Sequence, residues 1–117
     1  MPAPTDAINA ALYAELQATA GAEFAAELVA TFFEEAPVML AELRSALVDG
    51  NAERFRRAAH SLKSNSHTFG ATALGALARE IELRGLDGDP ARDEAALDAL
   101  AAAYALAAAA LKELAHG

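Results

Sequence analysis

Apolar side chains recur every three or four residues along most of the chain, which is the spacing of one face of an α-helix. No segment alternates apolar and polar residues in the manner of a half-buried strand. Glycines separate the periodic segments. The clearest break is Asp49-Gly50-Asn51, where a glycine suited to a helix end precedes an asparagine suited to capping the next helix. The pattern therefore predicts an all-α fold with five helices.

The first predicted helix is short, and the other four are long enough to pack together. Residues 1–5 are expected to be a flexible N-terminus, and residues 6–19 a short helix capped by Asp6. Residues 22–115 are expected to form an antiparallel four-helix bundle, to which the short helix is an addition. A chain of this length forms one domain, 1–117, with a single modest core.

The second predicted helix carries more apolar residues than one inward stripe requires. Pro37 lies inside it and predicts a kink or a break. The stripe predicted to face the core is Phe24, Leu28, Phe32, Met39, Leu43 and Leu47. Three further apolar residues are predicted to lie beside it: Val29, Phe33 and Leu40. The later helices are expected over about residues 52–69, 71–84 and 90–115, and the acids Asp93, Glu94 and Asp98 of the last one are expected to face solvent.

Composition limits the kind of core and the kind of partner. Hydrophobic residues make up 55% of the chain but aromatic ones only 6%, and the abundant alanine favours closely packed helices. The net charge of −8 argues against a nucleic-acid partner, and the lack of cysteine excludes disulfides and thiol chemistry. The N-terminus lacks the pattern of a signal peptide. The longest apolar run, Ala99 to Leu111, is shorter than the about 20 residues that span a bilayer, so we expect a cytoplasmic protein with no membrane segment.

His60 lies on the polar face of the third predicted helix, opposite an apolar face that contains Leu62. Small and basic residues surround it on that face: Arg56, Arg57, Lys63, Ser64 and, two turns on, His67. A histidine that points at water among cations is suited to meet an anion carried by a partner. His67 is too far along the helix to form a metal pair with His60, because such a pair uses a spacing of three or four residues. It is left as a rim residue or a second acceptor.

The stretch 58–71 resembles the signature of the histidine-containing phosphotransfer (HPt) domain, which reads His-x-Leu-Lys-Gly-small-small and then Gly-Ala. The matching positions are His60, Leu62, Lys63, Ser66, Gly70 and Ala71. Ser64 stands where the family most often has glycine, and Asn65 is larger than the usual small residue. The resemblance is close over about residues 20–84.

This resemblance implies that His60 is the phosphoacceptor and that Lys63 is a neighbour of the phosphoryl group. Because they lie on the same helix face, Ser64, Arg56 and Arg57 are also predicted to be neighbours of that group. The resemblance implies transfer from an aspartate of one receiver domain to His60 and then to another receiver aspartate. The receiver would hold Mg²⁺, and this chain would need no cofactor of its own and would not be an enzyme. The family docks receivers on an apolar patch beside the histidine, for which the candidates are Ile8, Leu12, Phe33 and His67.

Two other functions stay open. The first is a non-catalytic adaptor or inhibitor that binds a receiver or a histidine kinase without carrying phosphate. The second is a phosphate sink, which uses the same histidine. The sequence contains no Gly-rich phosphate-binding loop for ATP. We expect a monomer of a bacterial two-component pathway whose kinase and receivers act in trans.

Overall fold

Five α-helices make up the part of the chain that the structure describes. This computed structural model describes residues 8–86 and 88–116, the last two by their backbone only, and within these ranges it contains no strand. The helices are α1 (Ala10–Ala20), α2 (Ala22–Asp49), α3 (Ala52–Thr68), α4 (Thr72–Arg84) and α5 (Pro90–His116). Helices α2 and α4 each pack against both α3 and α5, so the four long helices form a closed ring of neighbours, and α1 packs against α2. The all-α prediction is confirmed.

Side chains from every long helix fill the space inside the ring. The largest fully buried apolar ones are Phe32, Phe55, Leu43, Leu62, Leu74, Leu97, Leu100 and Leu111. Each contributes about 1.5–3 kcal/mol by leaving water. Phe32 joins three parts of the chain, because its ring centroid lies 5.1 Å from that of Phe69 after α3 and 5.6 Å from that of Tyr104 on α5.

Helix α2 is a single helix of 28 residues. It runs through Pro37, so the predicted break does not occur, and a kink there stays a prediction. Its buried face is also shifted: Phe24, predicted to face inward, is 51% exposed, whereas Val29, predicted to lie beside the stripe, is buried. The reason is that Ala25 and Ala36 occupy inner positions, where small side chains let the neighbouring helices approach closely.

Helix α1 begins later than predicted, because its cap is Asn9 and not Asp6. The side-chain oxygen of Asn9 accepts hydrogen bonds from the backbone N–H groups of Ala11 at 3.1 Å and Leu12 at 3.2 Å. This satisfies two of the donors that a helix start leaves without a partner. The first helical residue is therefore Ala10. Asp6 and the predicted flexible N-terminus lie outside the described residues.

Gly70 joins the start of α1 to the turn between α3 and α4. Its carbonyl oxygen accepts a hydrogen bond of 2.7 Å from the backbone N–H of Asn9. Its φ is +71°, and a Cβ atom there would lie 3.0 Å from the Asn9 carbonyl oxygen and 3.1 Å from Cβ of Leu12. Only glycine combines this backbone conformation with so close an approach. The Gly70-Ala71 pair thus fixes both the hairpin that carries His60 and the docking of α1.

Helix α5 begins at Pro90 as predicted, and the side chain of Asp89 accepts a hydrogen bond of 3.3 Å from the backbone N–H of Arg92. The prediction that Asp93 faces solvent is wrong, since its side chain is buried. Its carboxylate lies 3.8 Å from the guanidinium of Arg84 at the end of α4, so a charged contact links the two helix ends.

Alanine makes α5 unusually apolar along its length. Over Pro90–Leu114 its mean hydropathy of 1.5 and its length would allow it to cross a membrane, by those two measures alone. This segment is longer than the apolar run Ala99 to Leu111, on which the expectation of no membrane segment rested. One side of it packs against α2 and α4, and 28% of its apolar window is buried inside the protein.

Candidate functional site

The helix that carries His60 is fixed to α2 at its start. The side chain of Asn51 accepts the backbone N–H of Arg54 at 3.0 Å, which confirms the predicted cap. The guanidinium of Arg54 pairs with Glu42 at 2.7 Å and with Asp49 at 2.9 Å, both on α2. The hydrogen bond from Arg54 lowers the pKa of Glu42, and Glu42 in turn raises the pKa of Arg54. These contacts hold α3, and with it His60, in one orientation.

His60 is engaged by a carboxylate from the neighbouring helix. Its side chain is 57% exposed, as predicted, and its Nδ1 lies 2.7 Å from Oε2 of Glu82 on α4. Lys63 Nζ donates a hydrogen bond of 2.8 Å to the other oxygen of the same carboxylate. The hydrogen bond from Lys63, and then that from His60, holds the pKa of Glu82 below its usual range. The carboxylate is therefore ionised at neutral pH.

An ionised carboxylate selects the tautomer of the imidazole that it contacts. Because it can only accept hydrogen bonds, the proton of a neutral His60 ring lies on Nδ1 and is donated to Glu82. The lone pair is then on Nε2, the other ring nitrogen. His60 therefore keeps its lone pair on the ring nitrogen that does not bind Glu82, and the same carboxylate stabilises positive charge that develops on the ring.

Glu82 is the residue of the candidate site that was not predicted from the sequence. It lies outside the signature around His60, and nothing in its local pattern distinguishes it from other acids on α4. The signal that could have found it is the hairpin. Since the turn falls at Gly70-Ala71, His60 and Glu82 stand at nearly the same separation from it, and antiparallel helices bring such residues together.

The two arginines near His60, Arg56 and Arg57, differ in their side-chain contacts. Arg57 pairs with Glu53 one turn earlier on α3 at 2.6 Å, through side chains that are both about 70% exposed. Arg56 makes no hydrogen bond or ion pair with any residue that the structure describes. A shallow cavity of about 200 Å³ borders His60, and its lining is Glu53, Arg56, Arg57, His60 and Glu82.

Lys63 and Ser64 do not line this cavity. Lys63 is half-buried against Glu82. Ser64 is exposed one turn after His60, and its carbonyl oxygen accepts a hydrogen bond of 3.3 Å from the Thr68 hydroxyl. The predicted neighbours of a phosphoryl group therefore fall on two sides of His60, with the arginines on the cavity side.

The four predicted docking residues do not form one patch. Ile8 precedes α1 and is buried against the core, so it presents little surface to a partner. Phe33 is half-buried under Lys112 of α5, whose Nζ lies 5.9 Å from the ring centroid, which places it on the α5 side of α2 and not beside α3. Leu12 is 42% exposed next to Gly70. His67 is exposed, and its ring lies beside α4 at Gly75.

Helix α2 instead offers Val38 and Met39 to the surface beside α3. Val38 is 67% exposed, and both residues line a mainly apolar cavity of about 250 Å³ that also contacts Arg57 and Ser61. Sequence reasoning missed this groove because it placed Met39 in the core stripe. Its apolar wall and its position next to the His60 face are suited to an apolar partner helix.

Comparison with known proteins gives one match. The family model for the Hpt domain matches residues 27–114, which is more than half of the chain. The matched range includes the helix that carries His60, the hairpin with Glu82 and almost all of α5. No curated protein and no solved structure matches the sequence.

Proposed function

Because this chain belongs to the Hpt domain family, a phosphocarrier family of two-component signalling, we propose that it relays phosphoryl groups through His60. His60 accepts the group from an aspartate of one receiver domain and passes it to an aspartate of another. The observation that carries this proposal is the pairing of an exposed imidazole with the ionised carboxylate of Glu82, which leaves Nε2 available for attack.

In the transfer step one bond to phosphorus forms as another breaks. The Nε2 lone pair forms a bond to phosphorus, and the bond between phosphorus and the aspartyl oxygen breaks, so the aspartate leaves as a carboxylate with the electron pair. The ring becomes a phosphoimidazolium that keeps its proton on Nδ1, and this N–H donates a hydrogen bond to the carboxylate of Glu82. Glu82 thus stabilises the charge that forms on the ring, as a carboxylate does beside a catalytic histidine. In the reverse step a protonated ring is the better leaving group.

The chain's own task in this reaction is positioning. Phosphoryl transfer depends mainly on in-line placement and charge stabilisation. The hairpin of α3 and α4 supports such placement, since it holds the imidazole on rigid elements. We propose that the receiver supplies Mg²⁺ and the remaining catalytic groups, and that the chain uses neither ATP nor a cofactor of its own. We further propose a cytoplasmic monomer that binds neither nucleic acid nor membranes.

The packing order of α2 to α5 supports a single domain built as an antiparallel four-helix bundle with α1 added. We propose that receivers dock over the His60 face and the groove at Val38 and Met39, with Leu12 and His67 at its far end. The groove supplies apolar contact and the surrounding arginines supply charge, which matches the acidic rim that a receiver aspartate site presents.

A relay experiment separates this function from the adaptor. One receiver is phosphorylated and mixed with a second, unphosphorylated receiver in the presence of the wild-type chain or of His60→Gln. We expect label to reach the second receiver only with the wild-type chain. Binding of a receiver without acid-labile label on the chain would favour the adaptor. Label that stays on His60 and is then lost to water would favour the sink.

A further inference from the structure

We propose that the phosphoryl group on His60 is held by Arg56 and Arg57 in the cavity on the N-terminal side of the imidazole, and that Lys63 stays on Glu82 as a positioning residue. This inference rests on the proposed function and assigns its phosphoryl-binding groups. The observation behind it is that Glu53, Arg56, Arg57, His60 and Glu82 line one cavity, whereas Lys63 lines none of it.

Helix geometry favours the arginine side. Side chains on an α-helix lean toward its N-terminus, so each covers the turn that precedes its own Cα. We therefore expect the imidazole of His60 to lie over the turn that contains Arg56 and Arg57, beside the cavity that all three residues line. The side chain of Lys63 leans the same way, which brings its ammonium to Glu82 beside His60.

The positive charge of Lys63 is already paired with the carboxylate of Glu82. Its ammonium is half-buried and donates a hydrogen bond to Glu82 at 2.8 Å, and Glu82 is one of the residues that line the cavity. If Lys63 moved to a phosphoryl group, Glu82 would lose its cation and would face a dianion directly. Keeping Lys63 in place neutralises Glu82 and preserves the hydrogen bond that fixes the tautomer of His60.

The arginines can respond at low cost. Arg56 has no partner among the described residues, and Arg57 is held only by Glu53 in an exposed pair, a kind of contact that contributes little to stability. Guanidinium groups match phosphate oxygens with two parallel hydrogen bonds. Arg57 therefore exchanges Glu53 for the phosphoryl group when it arrives, and Glu53 competes for Arg57 when the site is empty.

The test loads the full chain with phosphoramidate, a small-molecule phosphoryl donor, and follows the ³¹P signal of the phosphohistidine against pH. Nearby cations favour the dianion and so lower the phosphoryl pKa. We expect Arg56→Gln and Arg57→Gln each to raise that pKa by about 0.5 unit. Lys63→Gln should raise it less. Arg44→Gln is the matched control, since Arg44 pairs with Asp98 away from the site.

Glu53→Gln provides a readout of opposite sign. It releases Arg57, so the phosphoryl pKa should fall, a result that general loss of structure does not produce. The proposal is overturned if Arg56→Gln behaves like Arg44→Gln, if Lys63→Gln has the largest effect, or if Glu53→Gln raises the pKa. A wild-type chain that takes no label on His60 from phosphoramidate overturns it as well. Label from phosphoramidate with none from any receiver contradicts only the relay.

Discussion

The carboxylate of Glu82 on α4 accepts hydrogen bonds from both Nδ1 of His60 at 2.7 Å and Nζ of Lys63 at 2.8 Å, and so joins the two signature residues of α3 through a neighbouring helix. Its two oxygens divide the work, one fixing the imidazole and the other binding the lysine. The chemistry of His60 therefore depends on how α3 and α4 pack, and not on α3 alone.

Loss of the Glu82 charge should slow phosphoryl uptake. In Glu82→Gln the side chain keeps its shape but no longer stabilises positive charge on the ring. We expect the single-turnover rate of uptake from a phosphorylated receiver to fall about tenfold, the effect of one charge-assisted hydrogen bond. Glu80→Gln, which changes an exposed acid on the same helix, should leave the rate unchanged. Equal rates in Glu82→Gln and wild type would show that Glu82 has no part in the transfer.

Acid should weaken the fold partly through Glu82. Its pKa is lowered in the folded chain, by Lys63 first and by His60 second. Its stabilising contribution is therefore complete above the ordinary carboxyl value of about 4.3 and is lost as pH falls through the lower folded value. We expect urea midpoints of the wild type to fall more steeply below about pH 4.3 than those of Glu82→Gln. Parallel curves for the two proteins would contradict this linkage.

Gly70 should tolerate a side chain less well than Gly50. Both have positive φ, but an added Cβ at Gly50 meets nothing within 4 Å, whereas at Gly70 it meets Asn9 and Leu12. We expect Gly50→Ala to lower the free energy of unfolding by about 1 kcal/mol, and Gly70→Ala by about 2–3 kcal/mol. Urea denaturation of the two variants measures the difference. Equal losses would mean that α1 does not pack against this turn in solution.

Gly75 lies inside α4, and there we expect substitution by alanine to stabilise the protein. An added Cβ would lie 3.5 Å from Cβ of Ser66 and 3.7 Å from the ring of His67, which are ordinary contact distances. Alanine is the better helix former by about 0.8–1 kcal/mol. Gly75→Ala should therefore raise the free energy of unfolding by about 0.5–1 kcal/mol, as measured by urea denaturation. A destabilised variant would show that α3 and α4 lie closer together at Gly75 than these distances indicate.

Local patterns predicted most of the fold. The caps at Asn51 and Asp89 and the glycine after α2 placed three helix boundaries, because each acts through its own backbone. Prediction failed where distant packing decided the outcome. Phe24 is more apolar than Ala25, yet the alanine is the buried one, because only a small residue fits between closely packed helices. Asp93 is buried for a similar reason, since other parts of the chain surround it: Arg84 lies at the end of α4, and Leu47 and Ala52 line the same cavity as Asp93.

The residues of the candidate site also fall into those that local sequence predicted and those that depend on packing between helices. His60 and Lys63 were predicted from one stretch of helix, because the signature and the polar face both lie on α3. Glu82 was missed, because its role exists only after α4 has packed beside α3. Ile8 and Phe33 were predicted to dock a partner, but Ile8 is buried and Phe33 lies under Lys112, because the spacing of apolar residues does not show which neighbouring element covers each of them.

The most direct test of the proposed mechanism is to identify the histidine nitrogen that carries phosphorus. The chain is labelled with ¹⁵N at histidine, phosphorylated by a receiver and examined by NMR for coupling between phosphorus and each ring nitrogen. We expect coupling to Nε2 of His60, and no phosphorylated species in His60→Gln, while His67→Gln is labelled like the wild type. Phosphorus on Nδ1 of His60, or on His67, would contradict the role assigned to Glu82 and with it the mechanism.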